Sequence, residues 1–392
     1  MKSHLMATYN PLPISFERGE GSWLIDKNND RYLDALGGIA VTSVGHCHPK
    51  VVKAITEQAH KFIHLSNIIT IPEQYSLADK LCKLAQMDQV FFCSTGAEAN
   101  ECAIKLARLY GHKNNIENPQ IIVTDKSFHG RTLATISASG NRKVQAGFEP
   151  LVSGFVRVPF DDIAAVQEIA KHNKNIVAIL LEPIQGEGGI NIPSKEYLPS
   201  LRKICSDNNW LLMIDEVQSG IGRTGKWFSY QHFDNVIPDV ISLAKGLGGG
   251  IPIGACLTTG RANDIFEFGN HGTTYGGNPL CCHVSKTVLD IIEEEDLCKN
   301  SAILGEKLLS ILKDKLKNLP QVVAIRGQGL WIGIELNRPC REILNIALQH
   351  KVLFSITALN TIRLAPPLNI NSEEIDYLVD KLCKVITEFG AG

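Results

Sequence analysis

The chain lacks the features that mark membrane-bound, secreted and nucleic-acid-binding proteins. No run approaches the roughly 18 apolar residues of a membrane span. The first residues, MKSHLMATYNPLPISF, hold no apolar stretch of signal-peptide length. The formal net charge is only -2, so no basic field favours nucleic acid or an anionic lipid surface. These absences predict a soluble cytoplasmic protein whose partners are small molecules or another copy of itself.

Disulfide and metal frameworks are missing as well. The cysteines number eleven, an odd count, and no C-x-x-C pair occurs among them, which favours reduced thiols used as small hydrophobes. His46, His48 and His129 could suggest a metal, but no further ligand lies at a suitable spacing, so we expect no metal and interpret them as loop or core histidines. No histidine pairing marks Cys281 or Cys282 as a nucleophile.

What is present is a long globular chain with a change of pattern along it. A length of 392 residues suggests two domains. Between about residues 50 and 285, helical patterns alternate with short apolar runs, which predicts an α/β domain with a mostly parallel central sheet. Residues 1–49 and 286–392 predict a smaller α+β domain. The apolar runs are VFFC (90–93), IIVT (121–124), IVAILL (176–181), LLMI (211–214) and VISLA (240–244).

Polar and glycine-rich segments follow each of these runs. Open parallel sheets bind ligands at the carboxyl ends of their strands, so the five segments predict one composite pocket. The stretch STGAEAN opens a helix directly after a strand, where free N–H groups favour an anion such as phosphate. Asp215 ends a very apolar run, and Lys245 follows another, with three glycines after it.

Each of these features also has a purely structural interpretation. Ser94 or Thr95 could simply cap a helix. Asp215 could form a structural ion pair with an arginine, since a buried carboxylate needs a cation or a strong donor. Lys245 could extend to the edge of the sheet. Together, however, a phosphate cradle, a buried acid and a lysine on neighbouring strand ends match pyridoxal phosphate, which needs all three.

A literal dinucleotide-binding motif occurs at Gly220–Gly225, GIGRTG. In that role it would follow a strand directly, open a helix and precede an acidic residue by about twenty positions. Here DEVQS separates it from the strand, KWFSYQHF follows it, and Lys245 stands where the acid should be. The context therefore argues against a dehydrogenase.

The motifs resemble those of the class III, or ornithine-type, aminotransferases of fold type I along essentially the whole chain. They occur in the family order: STGAEAN, SFHGRT, EPIQGEGG, IDEVQSGIGRTG, LAKGLGGGIPIG, HGTTYGGNP and RLAPPL. Within the family, GGIAVTSVGHCHP resembles the members that act on N-acetylornithine. The resemblance implies a pyridoxal-phosphate-dependent transferase fold, with a large cofactor-binding domain over 50–285 and a small domain from 1–49 and 286–392.

The resemblance also implies roles for residues at the cofactor. Lys245 matches the lysine that forms a Schiff base with the cofactor and carries the proton, and Asp215 matches the acid on the pyridine nitrogen. The remaining cofactor-binding matches are Gly96 and Ala97 at the phosphate, Phe128 on the ring, Gln218 near the ring hydroxyl and Thr274. Thr274 matches a threonine that reaches the phosphate of the neighbouring subunit, which implies a homodimer with shared active sites.

Three further residues match positions that hold substrate. Arg131 and Arg363 match arginines that bind substrate carboxylates, which the forked guanidinium does bidentately. Glu187 matches a glutamate near the side-chain end of the substrate. We expect Glu187 to pair with Arg363 and to release it when 2-oxoglutarate brings a second carboxylate. A departure occurs at Ile68-Ile69-Thr70, where many relatives carry a tyrosine, so an aromatic wall of the substrate pocket is expected to be aliphatic here.

The resulting prediction is an aminotransferase that moves the terminal amino group of N-acetylornithine to 2-oxoglutarate in arginine biosynthesis. It would yield N-acetylglutamate semialdehyde and glutamate by a ping-pong mechanism. The alternative donors are succinylornithine, N-succinyl-diaminopimelate and ornithine. An aminomutase of this fold would not need 2-oxoglutarate. A protein of another class, binding ligands on the same fold without turnover, is disfavoured by the presence of Lys245 and Asp215.

Overall fold

A computed structural model describes residues 4–391 as fifteen strands, twelve α-helices and three short 3₁₀ helices. The strands are β1 Phe16–Glu20, β2 Trp23–Asp26, β3 Arg31–Asp34, β4 Gln89–Cys93, β5 Gln120–Thr124, β6 Phe155–Val158, β7 Ile176–Leu181, β8 Leu211–Asp215, β9 Val240–Leu243, β10 Gly254–Thr258, β11 Val322–Gly327, β12 Ile332–Leu336, β13 Val352–Leu353, β14 Ser355–Thr357 and β15 Thr361–Leu364.

The helices range from single turns to twenty residues. They are α1 Gly37–Ala40, α2 Pro49–Ala59, α3 Pro72–Ala85, α4 Gly96–Lys113, α5 Leu133–Ala138, α6 Arg142–Gln145, α7 Ile163–His172, α8 Tyr197–Asn208, α9 Pro279–Glu294, α10 Leu297–Leu316, α11 Ile343–Gln349 and α12 Ser372–Ala391. None of the helices in residues 4–391 is both long and apolar enough to cross a membrane.

A seven-stranded sheet in the order β4-β10-β9-β8-β7-β5-β6 forms the centre of the fold. Strands β9, β8, β7, β5 and β6 are mutually parallel, and β10 runs antiparallel to both β9 and β4. The α/β class and the mostly parallel sheet are therefore confirmed. All five apolar runs are strands of this sheet, whereas the antiparallel β10, which the sequence pattern did not reveal, lies between two of them.

Both faces of this sheet are buried, which explains why its strands are continuous apolar runs. Along β7, Ala178 and Leu180 pack with residues of α4, while Ile179 and Leu181 pack on the opposite face with residues of α7 and α8. Neighbouring parallel strands end at the same edge, so the segments after β4, β5, β7, β8 and β9 converge there. That convergence positions the candidate site.

Two four-stranded sheets lie outside the central one. The first has the order β1-β2-β3-β13, in which β13 is parallel to β3, so the two ends of the chain share a sheet. The second, β11-β12-β15-β14, is antiparallel throughout. The division into 50–285 and 1–49 with 286–392 stays a prediction.

The C-terminal helix α12 is capped by Asn371. Asn371 Oδ1 accepts a hydrogen bond from the Glu374 amide at 2.9 Å, and the Glu374 carboxylate accepts one from the Asn371 amide at 3.0 Å. Glu374 also accepts hydrogen bonds from Trp23 Nε1 at 2.6 Å and Ser22 Oγ at 3.2 Å. The cap therefore connects the last helix to β2 near the chain's beginning.

The Asn371→Ala substitution should lower the free energy of unfolding by about 1 kcal/mol, because it leaves a helix N–H without its acceptor. Urea denaturation measures this loss. The matched control is Asn371→Ser, which keeps an acceptor oxygen and should lose less than half as much. Equal losses for the two variants would contradict the capping role.

Candidate active site

A cavity of about 480 Å³ opens at the carboxyl edge of the central sheet. Segments after β4, β5, β7, β8 and β9 all contribute to its wall. Seven of the sequence-predicted site residues line it, namely Gly96, Ala97, Phe128, Arg131, Asp215, Gln218 and Lys245. The structure thus brings the predicted strand-end residues together in one pocket.

Lys245 begins a short 3₁₀ turn directly after β9, with a backbone φ of +41°. Gly248 is required in this turn, because a Cβ at that position would lie 1.9 Å from the Ile251 carbonyl oxygen. Within residues 4–391, the Lys245 amine forms no hydrogen bond or ion pair. Burial, with the nearby charge of Arg363, lowers the pKa of Lys245 to about 8, against the opposing effect of Glu187 and other acids. A substantial fraction of the amine is therefore neutral near pH 8.

The Asp215 carboxylate, at the end of β8, is buried and hydrogen-bonded through both of its oxygens. Its Oδ2 accepts hydrogen bonds from Asn100 Nδ2 at 2.7 Å and from His129 Nδ1 at 2.8 Å. Its Oδ1 accepts one from the Val217 amide at 3.0 Å. The structural alternative, an ion pair with arginine, is wrong: among the described residues, the partners of Asp215 are a histidine and an asparagine.

Sequence reasoning did not assign His129 and Asn100 to the site. His129 is buried, as the interpretation of a core histidine required, but it also contacts Asp215. Asn100 lies one turn into α4 and also donates to the His129 carbonyl oxygen at 2.9 Å. Asn100 could have been found from the sequence, because it is a polar residue on the face of the predicted helix that packs on the sheet, where a buried side chain needs a partner.

The N-terminus of α4 faces the cavity as an anion-binding group. Thr95 caps the helix, its hydroxyl accepting from the Glu98 amide at 3.2 Å, so the structural interpretation of STGAEAN holds in part. The amides of Gly96 and Ala97 form no hydrogen bond within the described part of the chain. Two free N–H groups at the positive end of an 18-residue helix are suited to a phosphate.

A second buried acid, Glu182, holds two loops of the cavity wall together through hydrogen bonds. Its carboxylate accepts hydrogen bonds from the Phe128 amide and the Gly186 amide, each at 2.9 Å. Burial raises the pKa of Glu182 to about 7, although the charge of His129 opposes the shift. The acid thereby holds Phe128 and joins the loop after β5 to the loop that leads to Glu187.

Arg363, on β15, is buried and surrounded by acceptors. It forms a close ion pair with Glu187 and donates to Gln218 Oε1 and Ser355 Oγ, each at 3.0 Å. Burial opposes ionisation of Glu187, but the adjacent Arg363 outweighs it and lowers the pKa of Glu187. The expected pairing of Glu187 with Arg363 is therefore present in the structure.

Thr274 and the segment Ile68-Ile69-Thr70 lie outside the cavity of their own chain. Thr274 is exposed, and Ile68 and Ile69 are 94% and 58% exposed. The two segments are neighbours, because Asn67 Nδ2 donates to the carbonyl oxygens of Thr273 and Gly276. The aliphatic stretch therefore does not form a wall of this chain's own pocket.

The other histidines and cysteines considered in the sequence are paired or buried. Within residues 4–391, no group of three or more metal-ligating side chains exists. His46 pairs with Asp34 at 2.7 Å and His48 with Glu295 at 3.1 Å. Burial raises the pKa of the Cys281 and Cys282 thiols, so neither is an activated nucleophile.

Comparison with known proteins identifies the family of the chain. The family model of class III aminotransferases matches residues 5–386. The chain is a class III aminotransferase. It is 54% identical over 387 residues to an acetylornithine aminotransferase of Nitrosomonas europaea, covering 99% of this chain and 98% of that one.

Solved structures of other aminotransferases share the fold. The ornithine aminotransferase of Toxoplasma gondii superposes with a TM-score of 0.95 at 31% identity, covering 98% of this chain and 93% of that one. The acetylornithine aminotransferase of Elizabethkingia anophelis gives a TM-score of 0.88 at 33% identity, with 98% and 96% covered. The type I transferase fold and the transaminase class are therefore confirmed.

Class III aminotransferases depend on pyridoxal phosphate, which partly occupies the active site in a second structure of the Toxoplasma enzyme. The donor set of this cavity fits that cofactor. The free amides of Gly96 and Ala97 suit its phosphate, and the unpaired Lys245 amine suits its aldehyde. Asp215 Oδ1, with a single amide donor, can accept from a protonated ring nitrogen.

We expect the reactivity of Lys245 to depend on pH with a midpoint near 8, because only the neutral amine is a nucleophile. Trace acetylation of the cofactor-free protein, read by mass spectrometry, should rise with pH, reach half its maximum near pH 8 and level off about one pH unit higher. Lys351 is the internal control, because hydrogen bonding to Asp30 raises its pKa. Its labelling should still be rising at pH 10, and parallel curves for the two lysines would contradict the lowered pKa.

Proposed function

We propose that the chain transfers the terminal amino group of N-acetylornithine to 2-oxoglutarate in arginine biosynthesis. The products would be N-acetylglutamate semialdehyde and glutamate. The observation that carries this proposal is that the unpaired Lys245 amine shares one cavity with Asp215 and Arg131, with the charge of Arg363 nearby. The proposal of N-acetylornithine as the amino donor rests on the relatives, since the chain is 54% identical to an acetylornithine aminotransferase over nearly its full length.

Lys245 and Asp215 are the proposed catalytic residues. When bound, pyridoxal phosphate supplies an electron-accepting ring conjugated to the amine of the substrate. Lys245 would remove a proton from the substrate carbon that bears the amine, and its pKa of about 8 suits an acceptor and donor of protons near neutral pH. Asp215 would keep the ring nitrogen protonated, a role supported by its burial and its fixed orientation between His129 and Asn100.

Five further side chains or turns would hold the cofactor. Gly96 and Ala97 would bind the phosphate through their amides, Phe128 would stack on the ring and Gln218 would donate near the ring hydroxyl. The Gln218 oxygen already accepts from Arg363, which leaves its amide nitrogen free to donate. Thr274 would reach the phosphate of the neighbouring subunit, and its exposure outside its own cavity is consistent with that role.

Thr274 therefore implies a homodimer with shared active sites. Exposed apolar side chains support such an interface near this turn: Tyr275 is 66% exposed and Ile68, held beside the same turn, is 94% exposed. In a dimer, Ile68 and Ile69 would border the partner's cavity rather than their own. We also propose a cytoplasmic location, in agreement with eleven unpaired cysteines.

Arg131, Arg363 and Glu187 would decide which carboxylates bind. Arg131 lies over the Phe128 ring at 5.7 Å, at the mouth of the cavity, where it can hold the distal carboxylate of either substrate. Glu187 would stay paired with Arg363 while the donor reacts, because the donor has no second carboxylate that could bind Arg363. When 2-oxoglutarate binds, its α-carboxylate would take Arg363 and displace Glu187. Two substrates of different charge could thus share one site.

The proposal predicts that N-acetylornithine alone changes the absorbance of the cofactor-loaded protein, because amino transfer to the cofactor needs no acceptor. Ornithine, succinylornithine and N-succinyl-diaminopimelate, added separately, should react at least about tenfold more slowly. A comparable rate with a succinyl donor would contradict the choice of donor. The Lys245→Ala variant is the control for chemistry. A native rate for this variant would contradict the assigned mechanism.

A further inference from the structure

A second, polar cavity of about 350 Å³ lies beside Glu187, outside the cavity that contains Lys245. Glu187 lines it, together with residues from the loop after β5, the turn of α6 and the sheet that carries Arg363. Most of the other lining side chains are charged or are amides and hydroxyls. Glu187 therefore borders a space suited to an ionised group, even while its carboxylate is bound to Arg363.

Thr361, in the wall of this second cavity, has a buried hydroxyl that makes no hydrogen bond within the described residues. The residue is 1% exposed, and its Oγ1 has no hydrogen-bond partner among the described residues. Thr361 precedes Arg363 by two positions on β15, so both side chains project from the same face, about 7 Å apart along the strand. A Cβ added to Gly189 would lie 3.5 Å from Thr361 Oγ1, so this hydroxyl faces the loop that carries Glu187.

The side chains around the cavity carry enough unpaired positive charge to bind one more carboxylate. Arg326 donates to Glu335 at 2.6 Å and to the Gly189 carbonyl oxygen at 2.6 Å, so its charge and donors are already used. Lys126 and Arg142 also line the cavity, and neither side chain forms a hydrogen bond or ion pair within residues 4–391. A carboxylate entering this space would meet two unpaired cations, both on exposed residues, and would lie against the wall that contains the Thr361 hydroxyl.

The backbone around Glu187 is fixed, so only its side chain is free to move. Thr357 Oγ1 donates to the Glu187 carbonyl oxygen at 2.6 Å, and Arg326 Nε donates to the Ile190 carbonyl oxygen at 3.0 Å. Rotation about the side-chain bonds of Glu187 can carry its carboxylate from Arg363 towards Thr361. The two positions are separated by one repeat of the pleated strand.

We propose that the second cavity is the alternative binding position of the Glu187 carboxylate, with Thr361 as its hydrogen-bond donor and Lys126 and Arg142 as its cationic wall. This inference rests on the proposed function, in which a dicarboxylate displaces Glu187 from Arg363. The displaced carboxylate exchanges an ion pair with Arg363 for a charge-assisted hydrogen bond and two nearby cations. Thr361 is then a specificity residue for the dicarboxylate half of the reaction, without touching the dicarboxylate itself.

Binding of glutarate, a dicarboxylate without a reactive keto group, to the cofactor-loaded protein tests this inference by calorimetry. The Glu187→Gln variant should bind glutarate several-fold more tightly than the unmodified protein, because Arg363 loses its charged competitor. The Thr361→Val variant should bind it about tenfold more weakly, since a hydrogen bond to a charged group is lost in the displaced state. When Thr361→Val is added to the Glu187→Gln variant, glutarate affinity should change less than twofold relative to Glu187→Gln alone.

Other results of the glutarate measurements would contradict either the displacement of Glu187 or its second position. If Glu187→Gln does not tighten glutarate binding, the displacement in the proposed function is wrong. If it does and Thr361→Val has no effect, only the second position is wrong. Equal weakening by Thr361→Val in both backgrounds would show that Thr361 acts on glutarate independently of Glu187, which also overturns the inference.

Two controls separate this role from general damage. Thr361→Val should be at least as stable as the unmodified protein in urea, because it removes a buried hydroxyl that lacks a partner. Arg142→Met should weaken glutarate binding about two- to threefold at low salt, whereas Lys143→Met should not, because Lys143 is equally exposed but lies outside the cavity. Equal effects of these two substitutions would contradict a cationic wall at Arg142.

Discussion

The active site depends on one buried carboxylate. Asp215 ends an apolar strand in the middle of the sheet, where leaving it without partners would cost several kcal/mol. His129 and Asn100 both donate to the same oxygen, which orients the carboxylate and leaves the second oxygen nearly free. Because these donors come from the loop after β5 and from α4, satisfying the acid also draws Phe128 and the helix N-terminus to the end of β8. The cofactor pocket follows from that requirement.

A second set of contacts joins this pocket to the sheet formed by β11, β12, β15 and β14. Glu182 connects the loop after β5 to the loop after β7, and Arg363 connects that second loop to β15 through Glu187. In the proposed mechanism, the cofactor site can therefore stay rigid while the Glu187 side chain changes position. In this account, chemistry belongs to Lys245 and Asp215, and the choice between substrates belongs to Glu187 and its surroundings.

The sequence predicted the central sheet and the convergence of its strand ends because strands buried on both faces are continuous apolar runs. It also placed Lys245 and Asp215 in one pocket, since parallel strands share a carboxyl edge. It did not reveal β10, because the direction in which a strand pairs is not written in that strand's own residues. It did not reveal the donors to Asp215 either, because Asn100 and His129 are far from Asp215 along the chain. Thr361 was missed for the same reason: an isolated threonine on a strand acquires meaning only from the cavity beside it. The resemblance supplied the roles of Thr274 and Gln218, which spacing alone could not.

The most direct test of the account concerns the charge that Asp215 maintains on the cofactor ring. The Asp215→Ala variant, loaded with ordinary pyridoxal phosphate, should react with the amino donor at least about a hundredfold more slowly than the unmodified protein. The same variant loaded with a cofactor analogue whose ring nitrogen carries a methyl group, and thus a permanent positive charge, should recover at least about tenfold in rate. Recovery would show that the buried carboxylate acts by holding a positive charge on that nitrogen. A variant that is equally slow with both cofactors would contradict this account.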